Sequence, residues 1–377
     1  MQNGGIYIHI PFCRQACFYC DFHFSTNLNL KGAMLEAILK EIEIKSATES
    51  ISYDTIYFGG GTPSILEPEE IDAILEKIFS HYRITDHVEI TLEANPEDIH
   101  EKNLKTWKKA GINRLSMGVQ SLNNNALQKM NRVHDSQNAI NAVREIRKAG
   151  FSNLNLDIIF GLPFLSQENY EEDVKGIIGL EPEHISAYHL TIEEKTVFGR
   201  WSQKGKLVEI DDELALTQFQ YLINELKMSG YEQYEISNFS KLNMESRHNR
   251  KYWTNASYLG FGPGAFSFNQ RERTANIRNN ALYVKALKVG KIPEDVVSSG
   301  KYELANDYII ASLRTKEGTN LEYMTGAFNI KLGELKYVEL VRLKDAGFLR
   351  FDDRTIVLSE KGRLIADEIA EKLMVLN

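Results

Sequence analysis

The chain has 377 residues, 43% apolar and 25% charged, and its 44 Lys and Arg against 52 Asp and Glu leave a formal net charge of −8. That composition excludes a disordered or fibrous chain, and the acidic balance excludes a general attraction to nucleic acid or anionic membrane. At roughly 150 residues per domain the length predicts two or three domains, ample for a core without disulfides.

Taken in chain order, strand-like runs occupy residues 6–10, 55–58, 88–92, 114–119, 153–160 and 185–190, rich in Ile, Val, Leu and Tyr and bounded by Gly, Pro or Asn. Helical spacing fills the intervals, at 33–44, 69–79, 98–109 and 136–149. Pro68 suits a first helical turn, and Gly111 and Gly150 follow helices as stops. Six βα units with no early dinucleotide fingerprint predict an α/β fold, an incomplete (β/α)6 barrel rather than a doubly wound sheet. After about Thr191 the alternation ends. One helix is predicted over 211–228, and 231–268, rich in aromatics, Asn and Gly, reads as a wrapped connection. From about Ile292, helices lead to short strands at 348–351 and 355–358 and a last helix over 360–376, a winged-helix-like α+β pattern. Residues 301–377 hold 12 Lys and Arg and 13 Asp and Glu, a balance that argues against DNA binding by the wing. The predicted division is a barrel over 1–230, a connecting region over 231–291 and a C-terminal domain over 292–377.

No run reaches about 18 uncharged apolar residues, so no integral membrane segment is expected, and any membrane association would be transient. Met1 to Ile6 lacks the basic-then-apolar order of a secretory signal. All three cysteines lie between residues 13 and 20, an odd number in too short a span for a disulfide framework. A reduced, cytoplasmic setting is expected.

These cysteines, Cys13, Cys17 and Cys20, form a C-x3-C-x2-C run just after the first strand. That is the loop position where the chemistry of a βα barrel resides. Three close thiolates can wrap one metal centre. Zinc with His9 or His23 as fourth ligand, uncoordinated thiols, and an iron–sulfur cubane with one iron left open all remain readings of the residues alone. Polar residues collect on the same face: Gly59-Gly60-Gly61-Thr62 after the second strand, Glu93 on the third, Gln120 on the fourth and Asp157 inside the apolar fifth.

Tyr7-Ile8-His9-Ile10-Pro11-Phe12-Cys13 followed by C-x3-C-x2-C resembles the radical S-adenosylmethionine (SAM) superfamily, and within it the HemN/HemW branch of oxygen-independent coproporphyrinogen III oxidases and heme chaperones. The resemblance implies a [4Fe–4S] cluster on Cys13, Cys17 and Cys20, with SAM chelating the open iron. It implies Tyr7 and Tyr19 around SAM, Gly60, Gly61 and Thr62 at its methionine end, Glu93 and Gln120 on its polar groups, Arg132 on its carboxylate and Asp157 on its ribose side. Two departures separate the chain from the oxidases: Phe22 stands where they carry a further Cys, and only five residues precede Ile6. His248-Asn249-Arg250-Lys251-Tyr252-Trp253 resembles the H-N-x-x-Y-W signature linked to heme in the chaperones. It implies His248 as a heme ligand, Tyr252 and Trp253 against the macrocycle, and Arg247, Arg250 and Lys251 near propionates. The expectation is a heme chaperone that passes heme to an acceptor protein. The alternative is a radical SAM oxidoreductase acting on a porphyrinogen or another substrate. A monomer and a cluster-dependent dimer both remain open. Gly260-Phe261-Gly262-Pro263-Gly264 lacks a surrounding βαβ unit and reads as a tight turn.

Overall fold

The computed structural model describes residues 3–47 and 51–376. Six parallel strands form its centre: β1 (Gly4–Ile10), β2 (Ser52–Gly60), β3 (Arg83–Ala94), β4 (Arg114–Gln120), β5 (Leu154–Phe160) and β6 (His184–His189), hydrogen-bonded in sequence order. Each expected strand is present, with ends shifted by a few residues. Alternation of side chains explains the two-layered wall. Ile6, Ile8 and Ile10 of β1 join Leu115, Met117 and Val119 of β4 in the apolar layer under the helices. The residues between them turn into the barrel.

Intervening helices at Lys31–Ser46, Pro68–His81, Glu101–Lys109, Ser136–Lys148 and Gln167–Gly179 supply the matching apolar faces, such as Ile71, Ile74, Leu75 and Ile78. The third helix begins at Glu101 because Pro96–Asp98 forms a separate 3-10 turn, where Asp98 accepts from Ser64 Oγ at 2.7 Å.

The stretch 231–268 contributes strands to both edges of this sheet. Antiparallel β7 (Glu232–Gln233) and β8 (Asn238–Ser240) follow β6, whereas β9 (Tyr258–Phe261) returns to the opposite edge and pairs parallel with β1. Beyond it, β10 (Phe266–Phe268), β11 (Arg273–Asn276) and β12 (Glu294–Ser298) extend the sheet to twelve strands. A buried network locks that extension to the first helix. Glu41 accepts from Gly262 N at 2.8 Å, Asn276 Nδ2 at 2.7 Å and Tyr283 Oη at 2.5 Å, and pairs with Lys45 at 2.9 Å. These partners satisfy a carboxylate with no exposed surface. Gly262, at φ +98°, takes the left-handed turn and leaves no room for a Cβ, which would lie 2.4 Å from the His9 carbonyl. The glycine-rich segment is thus a tight turn only over residues 262–264, because Gly260 and Phe261 belong to β9.

Residues 301–376 enclose a second apolar core around Leu304, Ile309, Met324, Leu340 and Ile369. A small antiparallel sheet in the order β13 (Thr319–Asn320), β15 (Thr355–Leu358), β14 (Leu349–Phe351) covers it. The expected last helix divides into Glu360–Arg363 and Ala366–Leu373, so Gly362 can lie against the Phe348 carbonyl while Ile369, Ala370 and Leu373 reach the core. Among the described residues no helix is long and apolar enough to cross a membrane.

Candidate functional site

A cleft of about 600 Å³ opens over the C-terminal ends of the parallel strands. Cys13, Cys17, Tyr19 and Cys20 line it together with Gly60, Gly61, Thr62, Glu93, Gln120, Arg132 and Asp157. Eleven of the thirteen residues expected at the site therefore share one cavity.

The cysteine loop is held in place by contacts that do not involve sulfur. Its entry is clamped by Cys13 N to Ser25 O at 3.1 Å and Ser25 N to Pro11 O at 2.9 Å. Arg14 reaches Asp98 at 3.2 Å. Gln15 donates to Asn131 O at 2.7 Å, and Asn131 donates back to Ala16 O at 2.8 Å. Phe18 N donates to Met130 O at 3.1 Å, and its ring packs edge-on against Trp201 with centroids 5.2 Å apart. The second-strand glycines close the other side. Gly61 N donates to Ile10 O at 2.9 Å and Thr62 N to Phe12 O at 2.7 Å, and a Cβ on Gly61 would lie 2.5 Å from that same Phe12 oxygen.

Two donors point at the thiols: Thr62 Oγ1 at Cys13 Sγ and Arg132 Nη1 at Cys17 Sγ, each at 3.4 Å. Burial pushes the Cys13 thiol up to about 11 and the Cys20 thiol up to about 12. A metal must therefore displace their protons on binding. Among the described residues no three His, Cys, Asp or Glu side chains converge on a single ion. A cubane makes no such demand, because each cysteine binds its own iron corner. His9 is no fourth ligand for zinc, since its Nδ1 accepts from Tyr7 Oη at 3.1 Å and its Nε2 donates to His23 O at 2.9 Å. His23 Nε2 meets Asn280 Oδ1 at 2.8 Å.

Arg132 spans the wall beside the loop. Its Nη2 donates to Asn95 Oδ1 at 2.7 Å and Gly118 O at 2.8 Å, while its buried Nε has no partner, a donor free for an anion. Asn95 Nδ2 then donates to Thr62 Oγ1 at 3.3 Å, joining both sulfur-facing donors in one chain. Glu93 accepts from Tyr57 Oη at 2.8 Å and Gly60 N at 3.2 Å. Asp157 accepts from Asn155 Nδ2 at 2.6 Å. Gln120 ends β4 at φ +68°, a left-handed conformation that costs a side-chain-bearing residue energy and turns the chain at the cleft rim. The donor set, the polar wall and the unpaired Arg132 donor fit a [4Fe–4S] cluster with SAM beside it.

Two expected site residues lie elsewhere. Tyr7 stacks on Tyr57, with centroids 6.1 Å apart, and does not line the cleft. His248 is 1% exposed, inside the barrel near the start of β1 and β2. Its Nδ1 hydrogen-bonds Thr55 Oγ1 at 2.9 Å and its Nε2 hydrogen-bonds Tyr252 Oη at 2.9 Å. Both nitrogens of the expected heme ligand are thus engaged within the protein, and its side chain has almost no exposed surface. The helix Arg247–Trp253 that carries it enters the barrel, with Glu89 accepting from Arg247 N at 3.3 Å and His248 N at 3.1 Å. The basic residues expected at propionates are paired as well. Arg247 and Lys251 meet Asp54 at 3.2 and 2.6 Å, and Arg250 meets Glu245 and Glu317 at 2.5 and 3.0 Å. His248→Ala is expected to lower the unfolding free energy by about 2–4 kcal/mol, through a cavity and two unsatisfied hydroxyls. Hemin affinity should stay within about twofold of the parent, with urea titration and absorbance as the two readouts.

Burial sets the pH response of the metal-free protein. Glu93 is pushed up to about 8, first by burial and then by the Asp157 charge. Burial depresses His248 to about 3 and His9 to about 4. Between about pH 4 and 6.5 the unfolded histidines hold protons that the native ones lack, which makes stability rise with pH. The native Glu93 holds a proton that the unfolded one has lost, which makes stability fall with pH up to about 8. Above pH 6.5 the contribution of the two histidines is gone and that of Glu93 persists to about pH 8. Thermal unfolding should thus show a declining limb from pH 6.5 to about 8, and Glu93→Gln should flatten it.

Tyr57, Asn95, Arg114, Ser116, Asn155 and Ser186 also line the cleft and were not singled out from the sequence. Their signal is the polar alternation Arg114-Ser116-Gly118 and Asn155-Asp157 within otherwise apolar strands.

Residues 7–176 match the Radical SAM superfamily. The heme chaperone HemW of Bacillus subtilis (strain 168) is 33% identical over 367 residues, covering 96% of this chain and 97% of that protein. The heme chaperone HemW of Lactococcus lactis subsp. lactis (strain IL1403) is 31% identical, covering 99% and 98%. Among solved structures, coproporphyrinogen III oxidase (HemN) from Escherichia coli superposes with a TM-score of 0.85 at 21% identity, covering 99% of this chain and 90% of that one. That likeness speaks for the fold.

Proposed function

The chain belongs to the radical SAM superfamily and, within it, to the heme chaperone HemW family, and from that premise we propose that it carries heme to an acceptor protein. The observation that supports the reading is the composition of the cleft mouth. Three cysteines, with no fourth, face a cavity whose wall holds Arg132 and Glu93, and Phe22, 74% exposed, stands at its rim. An exposed aromatic ring offers a macrocycle an apolar face without adding a ligand to the cluster.

In this reading Cys13, Cys17 and Cys20 hold the [4Fe–4S] cluster, and Thr62 and Arg132 stabilise charge on its sulfurs. Arg132 and Asn95 orient the SAM carboxylate beside Gly118, Glu93 and Gln120 meet polar groups of SAM, and Asp157 lies toward its ribose. When bound, the cluster and SAM supply one-electron chemistry at the open iron. Tyr57 holds Glu93 in place, and the Gly60–Thr62 turn lets the backbone approach SAM without side-chain interference. This wall favours SAM binding whether the protein is a carrier or an oxidoreductase.

Anaerobic reconstitution with iron and sulfide, followed by hemin titration with SAM present, tests the reading. Stoichiometric uptake, then transfer of heme from the loaded protein to an apo-acceptor, is the expected result. A full cluster without heme uptake, or efficient decarboxylation of coproporphyrinogen III, would replace the carrier with an enzyme.

A further inference from the structure

Arg114 occupies the first position of β4, where its side chain enters the barrel and lines the cleft. It is 1% exposed, yet its Nε and Nη1 have no hydrogen-bond partner. Its register partner on β3, Thr91, is 0% exposed, and the Thr91 hydroxyl is likewise unpartnered. The two buried carboxylates of the cleft take their hydrogen bonds from other donors, Glu93 from Tyr57 and Gly60 and Asp157 from Asn155, and Arg114 reaches them through its charge and not through its Nε or Nη1. A buried guanidinium is expensive unless an anion or several acceptors meet it. The Arg132 Nε is a second buried guanidinium donor of this wall without a protein partner.

We propose that Arg114 is a carboxylate-binding subsite at the floor of the cleft, filled by a carboxylate of a molecule that enters from the cluster side. The planar fork of arginine suits bidentate capture of a carboxylate, and the enclosed wall strengthens the pairing. The surrounding polar groups, Ser116, Asn155 and Ser186, are neutral and mutually bonded, with Asn155 donating to Ser116 at 2.7 Å and Ser186 donating to Asn155 at 3.1 Å. They do not compete for the guanidinium. Arg132 already meets the one carboxylate of SAM, so the carboxylate at Arg114 is a propionate of a tetrapyrrole, an assignment that rests on the carrier reading above.

The test uses the reconstituted full chain and its Arg114→Gln and Arg114→Lys variants, titrated anaerobically with SAM, hemin and hemin dimethyl ester. Arg114→Gln should lose at least tenfold in affinity for hemin while binding SAM as the parent does, and Arg114→Lys should recover much of the loss. Loss for hemin but not for its dimethyl ester assigns the subsite to a propionate. Loss for SAM alone overturns the proposal. The ligand-free Arg114→Gln protein should melt at or above the parent temperature, because an unpaired buried charge has been removed. Unchanged hemin affinity, or a loss that appears only with a lowered melting temperature, overturns the proposal. Failure of the parent to take up hemin removes the carrier reading, and the same comparison with coproporphyrin III and its tetramethyl ester then decides on Arg114.

Discussion

Cys17→Ser should reduce iron and sulfide from about four each per chain to background, and SAM binding should disappear with them. The serine hydroxyl is a poor iron ligand, and no other cysteine exists to replace the lost thiolate. The fold should survive. None of the three cysteines belongs to the apolar core, and the loop is fastened through Arg14, Gln15, Phe18 and the Ser25 backbone rather than through sulfur. Metal analysis and absorbance read the first effect. Far-ultraviolet circular dichroism and the melting temperature of the metal-free protein read the second, and both should match the parent. An unfolded variant would show that the cluster organises the barrel rather than occupying it.

Arg132→Met should combine two losses. Removing the guanidinium leaves Asn95 Oδ1 and Gly118 O without their donor in a closed wall. Stability should fall by about 2–3 kcal/mol. SAM affinity should fall by one to two orders of magnitude, about 1.4–2.8 kcal/mol, since the charged partner for its carboxylate is gone. Arg132→Lys should restore charge but not the fork that spans Asn95, Gly118 and Cys17 together, and should recover only part of the affinity. Equilibrium SAM titration and urea unfolding separate the two losses. A stability loss without any change in SAM affinity would reduce Arg132 to a structural strut.

The barrel was legible because period-two apolar runs alternate with helical runs, a pattern dominated by local burial. The cysteine loop was legible because its spacing is compact in sequence. What escaped was decided by distant partners. Residues 231–268 show no long run because their strands have two to four residues and gain their place by pairing with β1 and β6, far away in the chain. His248 illustrates the converse. Its neighbours Arg250, Lys251, Tyr252 and Trp253 suggested a ligand surface, but Asp54, Thr55, Glu89 and Glu245 take up the helix and turn it inward. Arg114 and Asn155 were hidden for a simpler reason. A single polar residue in an apolar strand carries no mark of which face it occupies until its neighbours' alternation is read as well.

The pairing of β1 with β9 also sets an order of assembly. Gly5 meets Tyr258 and Ile8 meets Phe261, so one edge of β1 has no partner until synthesis has passed Phe261. At a synthesis rate of roughly 5–20 residues per second, that wait is on the order of 10–50 s. During this interval an apolar strand, Gly4–Ile10, presents open backbone groups to any other nascent chain. Slower synthesis between β6 and β9 would lengthen that exposure of the β1 edge.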